Sequence, residues 1–123
     1  MRHYSLLNRV AVAATLAFST TGAALAMPQV LIGSYTHDSD RAGIYRLHFD
    51  PEKGRLNPQP LQVVESANPS WLLLDLQNGR VFAANENGPG QPDPVGRVSA
   101  FSLDPASGEL SPLGRQISLG DEP

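Results

Sequence analysis

Residues 44–58 read IYRLHFDPEKGRLNP, and residues 98–112 read VSAFSLDPASGELSP. Set in register, Asp50 meets Asp104, Pro51 meets Pro105, Gly54 meets Gly108, Leu56 meets Leu110 and Pro58 meets Pro112, every pair 54 positions apart. The apolar positions keep step, with Ile44, Leu47 and Phe49 matching Val98, Phe101 and Leu103. Five identities at one spacing, with the apolar pattern retained, constitute an internal repeat. Tyr45, Leu47 and Phe49 alternate with Arg46 and His48, which is the period of a strand. Asp-Pro then presets a turn, because proline fixes φ and the aspartate side chain accepts from backbone N–H groups just ahead of it. Gly54 and Gly108 supply the positive φ that closes such a turn.

Between the copies, residues 70–76 (SWLLLDL) and 80–85 (RVFAAN) flank Gln77-Asn78-Gly79. Asn-Gly is the strongest short hairpin signal. Leu72 and Leu74 share one face while Leu73 and Leu76 break the alternation, so this strand is expected to be covered on both faces. A four-stranded unit repeating at about fifty residues is the signature of a β-propeller blade. The expected fold is all-β, a partial propeller of about two four-stranded antiparallel blades. The second blade (69–120) draws its strands from 70–76, 80–85, 97–104 and 113–119; the first draws on 29–36, 43–50 and 61–65 and lacks its innermost strand. Pro69 maps by the same spacing onto Pro123, where a further blade should begin. The chain is therefore expected to be a truncated or partial sequence with open sheet edges, its partners the remaining blades of its own fold. The rival expectation is a self-contained two-sheet protein.

The chain is 123 residues with a formal charge of −3. Arg2, His3 and Arg9 precede a short apolar run at 10–18, and Ala24-Leu25-Ala26 makes a small-x-small cleavage site. Residues 1–26 thus read as a signal peptide. Ser19, Thr20, Thr21 and Gly22 interrupt the apolar run well short of the ~20 residues that span a bilayer. The expected destination is periplasmic or secreted, with no membrane association after cleavage. The mature 97 residues keep 7 Lys+Arg against 12 Asp+Glu, with no basic stripe for nucleic acid. Cysteine is absent, which excludes disulfides, thiolate metal sites and cysteine nucleophiles. Glycine and proline supply 11 residues each, punctuation that suits short strands and turns.

The segments VLIGSYT (30–36), GIYRLHFDPEKGRL (43–56), NPSWLLLD (68–75), RVFAANENG (80–88) and GRVSAFSLDPASGELSPLGRQ (96–116) together resemble the lactonase family of seven-bladed propellers. That family includes the propeller-type 6-phosphogluconolactonases and the carboxy-muconate lactonising enzymes. The resemblance implies sugar-lactone ring opening, a small-molecule lactone as substrate and no cofactor. Such hydrolysis needs a base to activate water and donors for the developing oxyanion. A phosphorylated substrate further wants Arg or Lys at its phosphate. The resemblance also implies that the catalytic residues lie downstream of Pro123, so that this chain is an inactive fragment. The alternative function is a non-catalytic exported propeller that serves as a binding scaffold, because a propeller supports either role.

Within the chain, Asn85-Glu86 ends the second strand of the complete blade, where a loop reaches a propeller's binding face. Glu86 is a candidate general base or sugar-hydroxyl acceptor; a carboxylate without a partner favours the plainer role of capping its loop. The matching stretch of the first copy is Ser34-Tyr35-Thr36-His37-Asp38, in which His37 is the natural titrating candidate. Beside two aspartates, it also suits a solvated turn. His48 reads as a polar-face strand residue, since its counterpart is Ser102. Trp71 is a candidate for stacking on a sugar ring, although packing between blades is the commoner use of a lone tryptophan. Asp38-Ser39-Asp40 lacks the remaining ligands of a calcium loop, so no metal is expected. Arg41, Arg46, Arg80 and Arg97 are scattered, and Gly88-Pro89-Gly90 leads into prolines rather than a phosphate-binding helix.

Overall fold

The computed structural model describes residues 27–120. The signal segment at 1–26 and the match of Pro69 to Pro123 fall outside the described residues. Eight strands run in chain order: β1 (Gln29–Gly33), β2 (Gly43–Asp50), β3 (Arg55–Leu56), β4 (Gln62–Glu65), β5 (Pro69–Asp75), β6 (Arg80–Asn85), β7 (Arg97–Leu103) and β8 (Leu110–Ile117). They form two four-stranded antiparallel sheets, and no helix occurs among the described residues. The second sheet is a simple meander, β5-β6-β7-β8. In the first, β1 pairs with one side of β2, and both β3 and β4 pair with its other side. β3 and β4 are therefore two halves of one strand.

The repeat shows why that strand breaks. Phe49 pairs with Leu56 in the first copy and Leu103 with Leu110 in the second, which preserves the 54-residue offset. Beyond Leu56 the chain meets Pro58 and Pro60, which have no N–H to offer a ladder, and pairing resumes only at Gln62 opposite Arg46. The second copy carries Pro112 alone and absorbs it on the edge strand β8, which bulges at Leu113 opposite Ala100 and Phe101 of β7, a position where proline is tolerated. Hence β8 begins at Leu110, three residues before the expected start, and ends at Ile117. β1 also ends early, at Gly33 rather than residue 36, because Thr36 turns away to bond Asn68.

Both Asp-Pro turns form as expected. Asp50 Oδ1 accepts from the Glu52 and Lys53 N–H groups at 3.0 and 3.1 Å. Asp104 Oδ1 accepts from the Ala106 and Ser107 N–H groups at 3.0 and 2.7 Å. Gly54 and Gly108 close the turns at φ +61° and +75°.

The two sheets meet over one core of Ile44, Val64, Val81, Ala83, Phe101 and Leu110, flanked by Leu31, Leu72 and Leu103. Ile44 and Val81 are fully buried, worth roughly 1.5–3 kcal/mol for each such side chain. Polar pins reinforce the join. The Gln62 amide both donates to the Leu110 carbonyl (2.8 Å) and accepts from the Leu110 N–H (2.9 Å), acting as a piece of strand. Arg46 Nη1 bonds Gln29 Oε1 and the Ser107 carbonyl, both at 2.8 Å. At Gly33 the approach is closest, since a Cβ there would lie 2.1 Å from the Pro69 carbonyl oxygen.

β5 departs from expectation. Its inward residue Leu72 reaches the core, but Trp71, Leu73, Leu74 and Leu76 are exposed, Trp71 at 73%. Among the described residues β5 is covered on one face, because the second sheet turns only its inner side to the first. Through the pairings Leu73–Phe82 and Ala84–Val98, the outer face of this sheet is apolar as well.

Candidate functional site

Three connections gather at one end of the paired sheets: β1–β2 (34–42), β4–β5 (66–68) and β6–β7 (86–96). Glu86 is the first residue past β6 and is half-buried. Tyr35, the matching residue of the first copy, donates its hydroxyl to Glu86 Oε2, so the contact spans the two sheets. The hydroxyls of Tyr35 and Ser70 hold the Glu86 carboxyl below the ordinary carboxylate range. It is therefore ionised at neutral pH. A carboxylate so stabilised is a poor proton acceptor but a constant hydrogen-bond acceptor.

His37 is exposed, with Nε2 3.1 Å from Asp38 Oδ2. Its backbone N–H, like that of Thr36, donates to Asn68 Oδ1 at 2.9 Å. Beside it opens a cleft of about 270 Å³ lined by Thr36, His37, Asp38, Asn87, Gln91 and Asp93, with Asn68 among its walls. Across the cleft Asp93 grips Arg97 bidentately, at 2.6 and 3.1 Å. Each partner shifts the other: the Arg97 guanidinium lowers the Asp93 pKa, and Asp93 raises that of Arg97. The pair spends the charge of Arg97 inside the chain.

Asn85, 2% exposed, has its carboxamide committed to the fold. It donates to Ser66 Oγ (2.9 Å) and the Ala67 carbonyl (2.6 Å) and accepts from Ser99 Oγ (2.6 Å). Trp71 stands near the start of β5 and is exposed, with no inter-blade packing among the described residues. His48 is half-buried within β2, and its Nδ1 is buried without a hydrogen-bond partner. The structure thus brings Glu86, Tyr35 and Ser70 together, with the His37 cleft alongside. Among the described residues no three His, Asp or Glu side chains approach one another as metal ligands would.

Sequence reasoning missed Tyr35, Asn68 and Ser70. For Tyr35 a signal existed: Tyr35 and Glu86 follow β1 and β6 at equivalent positions, and two sheets packed in succession bring equivalent loop residues side by side. Asn68 and Ser70 carried none, because their roles come from loops 16 to 32 residues away.

Successive antiparallel sheets that repeat along the chain, pack face to face and send these loops to one end define a β-propeller. The chain belongs to the lactonase family of seven-bladed β-propellers, whose family pattern matches residues 29–123. The 6-phosphogluconolactonase of Bacillus subtilis (strain 168) is 32% identical over 92 residues, covering 75% of this chain and 24% of that protein. Among solved structures, the periplasmic gluconolactonase PpgL of Pseudomonas aeruginosa superposes with a TM-score of 0.70 at 35% identity, over 77% of this chain and 26% of that one. The chain thus spans about a quarter of the length of these relatives.

Proposed function

We propose that this chain contributes two blades to an exported hydrolase of sugar lactones, with Glu86 as an acceptor for the sugar's hydroxyl groups. The observation that carries the proposal is the ionised Glu86 held between hydroxyls from two adjacent blades, at the loop end of a lactonase-family propeller. Ring opening proceeds by attack of water on the lactone carbonyl, through an oxyanion that collapses with loss of the ring oxygen. That needs a base whose pKa lies near the working pH, and the lowered carboxyl of Glu86 does not supply one. In this division of labour Glu86 orients the sugar, and the base and oxyanion donors come from outside residues 29–123. Residues 27–123 alone therefore bind a sugar lactone weakly and do not turn it over. Export agrees with the signal-like residues 1–26 and with a periplasmic relative among the solved structures.

The test uses glucono-δ-lactone and 6-phosphogluconolactone in a proton-release assay, with saturation-transfer NMR for binding. No rate above spontaneous hydrolysis, with a saturation-transfer signal that Glu86→Gln abolishes, is the expected result. Turnover by residues 27–123 would overturn the division of labour, and a signal indifferent to Glu86→Gln would overturn its role as acceptor.

A further inference from the structure

We infer that Asn68 is a positioning residue that sets His37 and Glu86 relative to each other across the two blades. What those two residues then do rests on the sugar-lactone proposal; the coupling between them does not.

Asn68 is 3% exposed and sits at φ +41°. A non-glycine residue in that region is strained and persists only where its surroundings demand it; asparagine is among the few side chains that tolerate it. The demand here is visible from both ends of the residue. Its backbone carbonyl accepts from the Glu86 N–H at 2.9 Å. Its side-chain Oδ1 accepts from the Thr36 and His37 N–H groups, both at 2.9 Å, and from Thr36 Oγ1 at 3.2 Å. Its Nδ2 donates to Asn87 Oδ1 at 3.0 Å and to Gln91 Oε1 at 2.7 Å. One residue on the connection between the blades thus holds the backbone of both candidate site residues and the loop that follows Glu86.

The carboxamide has one possible orientation. Turning it over would set Nδ2 against two N–H donors and Oδ1 against two carbonyl-type oxygens. Asn85, equally buried, bonds the β4–β5 connection and Ser99 on β7. The partners of Asn68 instead belong to the loops that rim the cleft, 19 to 32 residues away in sequence. A turn residue with a merely local job needs none of these.

Asn68→Asp separates the two halves of the coupling. The carboxylate still accepts from Thr36 and His37, but it faces the Asn87 and Gln91 oxygens as a second acceptor. Gln91 can rotate its amide in reply. Asn87 cannot, since its Nδ2 already serves the Val95 carbonyl at 3.3 Å and rotation would turn oxygen onto oxygen. Amide hydrogen exchange of the full chain, followed by mass spectrometry and corrected for intrinsic rates, reads this directly. The expected result is roughly tenfold faster exchange in residues 86–95 at neutral pH, with 34–38 still protected. Protection returns in acid, when the protonated side chain at 68 donates to Asn87. Asn68→Gly suits the backbone and keeps the Glu86 contact, so it should release 34–38 while β6 stays protected. A merely architectural role would loosen both loops and β6 together at every pH, and that result would overturn the inference, as would unchanged exchange in either variant. Should Asn68→Asp fail to fold, the glycine variant decides alone. If the coupling holds but glucono-δ-lactone alters exchange in neither loop, the sugar-lactone proposal falls and the positioning role stands.

Discussion

Gly54 and Gly108 occupy the same position in the two copies of the repeat, with φ +61° and +75°, yet a side chain would meet different surroundings at each. A Cβ at Gly54 meets nothing within 4 Å. At Gly108 it would lie 2.4 Å from Gln29 Oε1 and 3.5 Å from Arg46 Nη1. Alanine costs about 1–2 kcal/mol in the left-handed region, offset by about 0.4–1 kcal/mol through the less flexible unfolded chain. Gly54→Ala should therefore lower stability by about 1 kcal/mol. Gly108→Ala carries the same backbone cost and also displaces Gln29 from Arg46. Arg46 is a 9% exposed cation whose Nε already lacks a partner, and it would keep only the Ser107 carbonyl. Hydrogen bonds to a charged group are worth about 1.5–3 kcal/mol, and Gln29 can swing partly aside, so the gap between the variants should be about 1–3 kcal/mol. For a domain of this size that is at least about 4 °C between the melting midpoints. Thermal and urea unfolding of both variants measure it, and in a Gln29→Ala background, where the Arg46 contact is already gone, Gly108→Ala should cost no more than Gly54→Ala, as coupled neighbours require. Equal destabilisation by the two substitutions would refute the reasoning, because the Gln29–Arg46 contact would then carry no energy.

Gly33→Ala brings a Cβ within 2.1 Å of the Pro69 carbonyl oxygen, backbone that cannot swing away; the loss should exceed the about 1–3 kcal/mol of ordinary overpacking, seen as a cooperative melt lowered further than that of Gly108→Ala. The carboxyls of Asp50 and Asp104 are lowered, chiefly by the N–H groups of Lys53 and Ser107. Their contribution is present above the unfolded value of about 4 and fades as pH falls through the lowered folded value, so urea midpoints should hold steady from pH 7 to 5 and drop below about pH 4, with a shallower drop in Asp104→Asn. The outer face carrying Trp71, Leu73, Val98 and Leu113, exposed by 73%, 57%, 41% and 55%, should drive association of the purified chain. Sedimentation should show this, and Leu73→Lys with Val98→Lys should reduce it; a monodisperse native monomer would contradict the expectation.

The fold was legible where a residue acts on its own neighbourhood. Asp50 and Asp104 bond N–H groups two and three residues ahead, and the alternation of β2 needs only its own period. The strand between Leu56 and Glu65 was read less well, since whether Pro58 and Pro60 break a ladder depends on which partner residues need an N–H. Of the site, Glu86 and His37 could be proposed from residue type and loop position. The loop position of Tyr35 was visible, but its part and that of Asn68 follow from contacts 51 and 32 residues away.

By itself the sequence determined the repeat, its strands and turns and the propeller to which they belong, because periodicity, proline, glycine and aspartate act through short-range backbone sterics and local hydrogen bonds. The tertiary structure alone decided how the blades meet: the Gly33 approach, the Arg46 and Gln62 pins, and Asn68 between His37 and Glu86. Those contacts depend on distances of two to three ångströms between residues far apart in the chain, and such distances are set only once both sheets have twisted and packed.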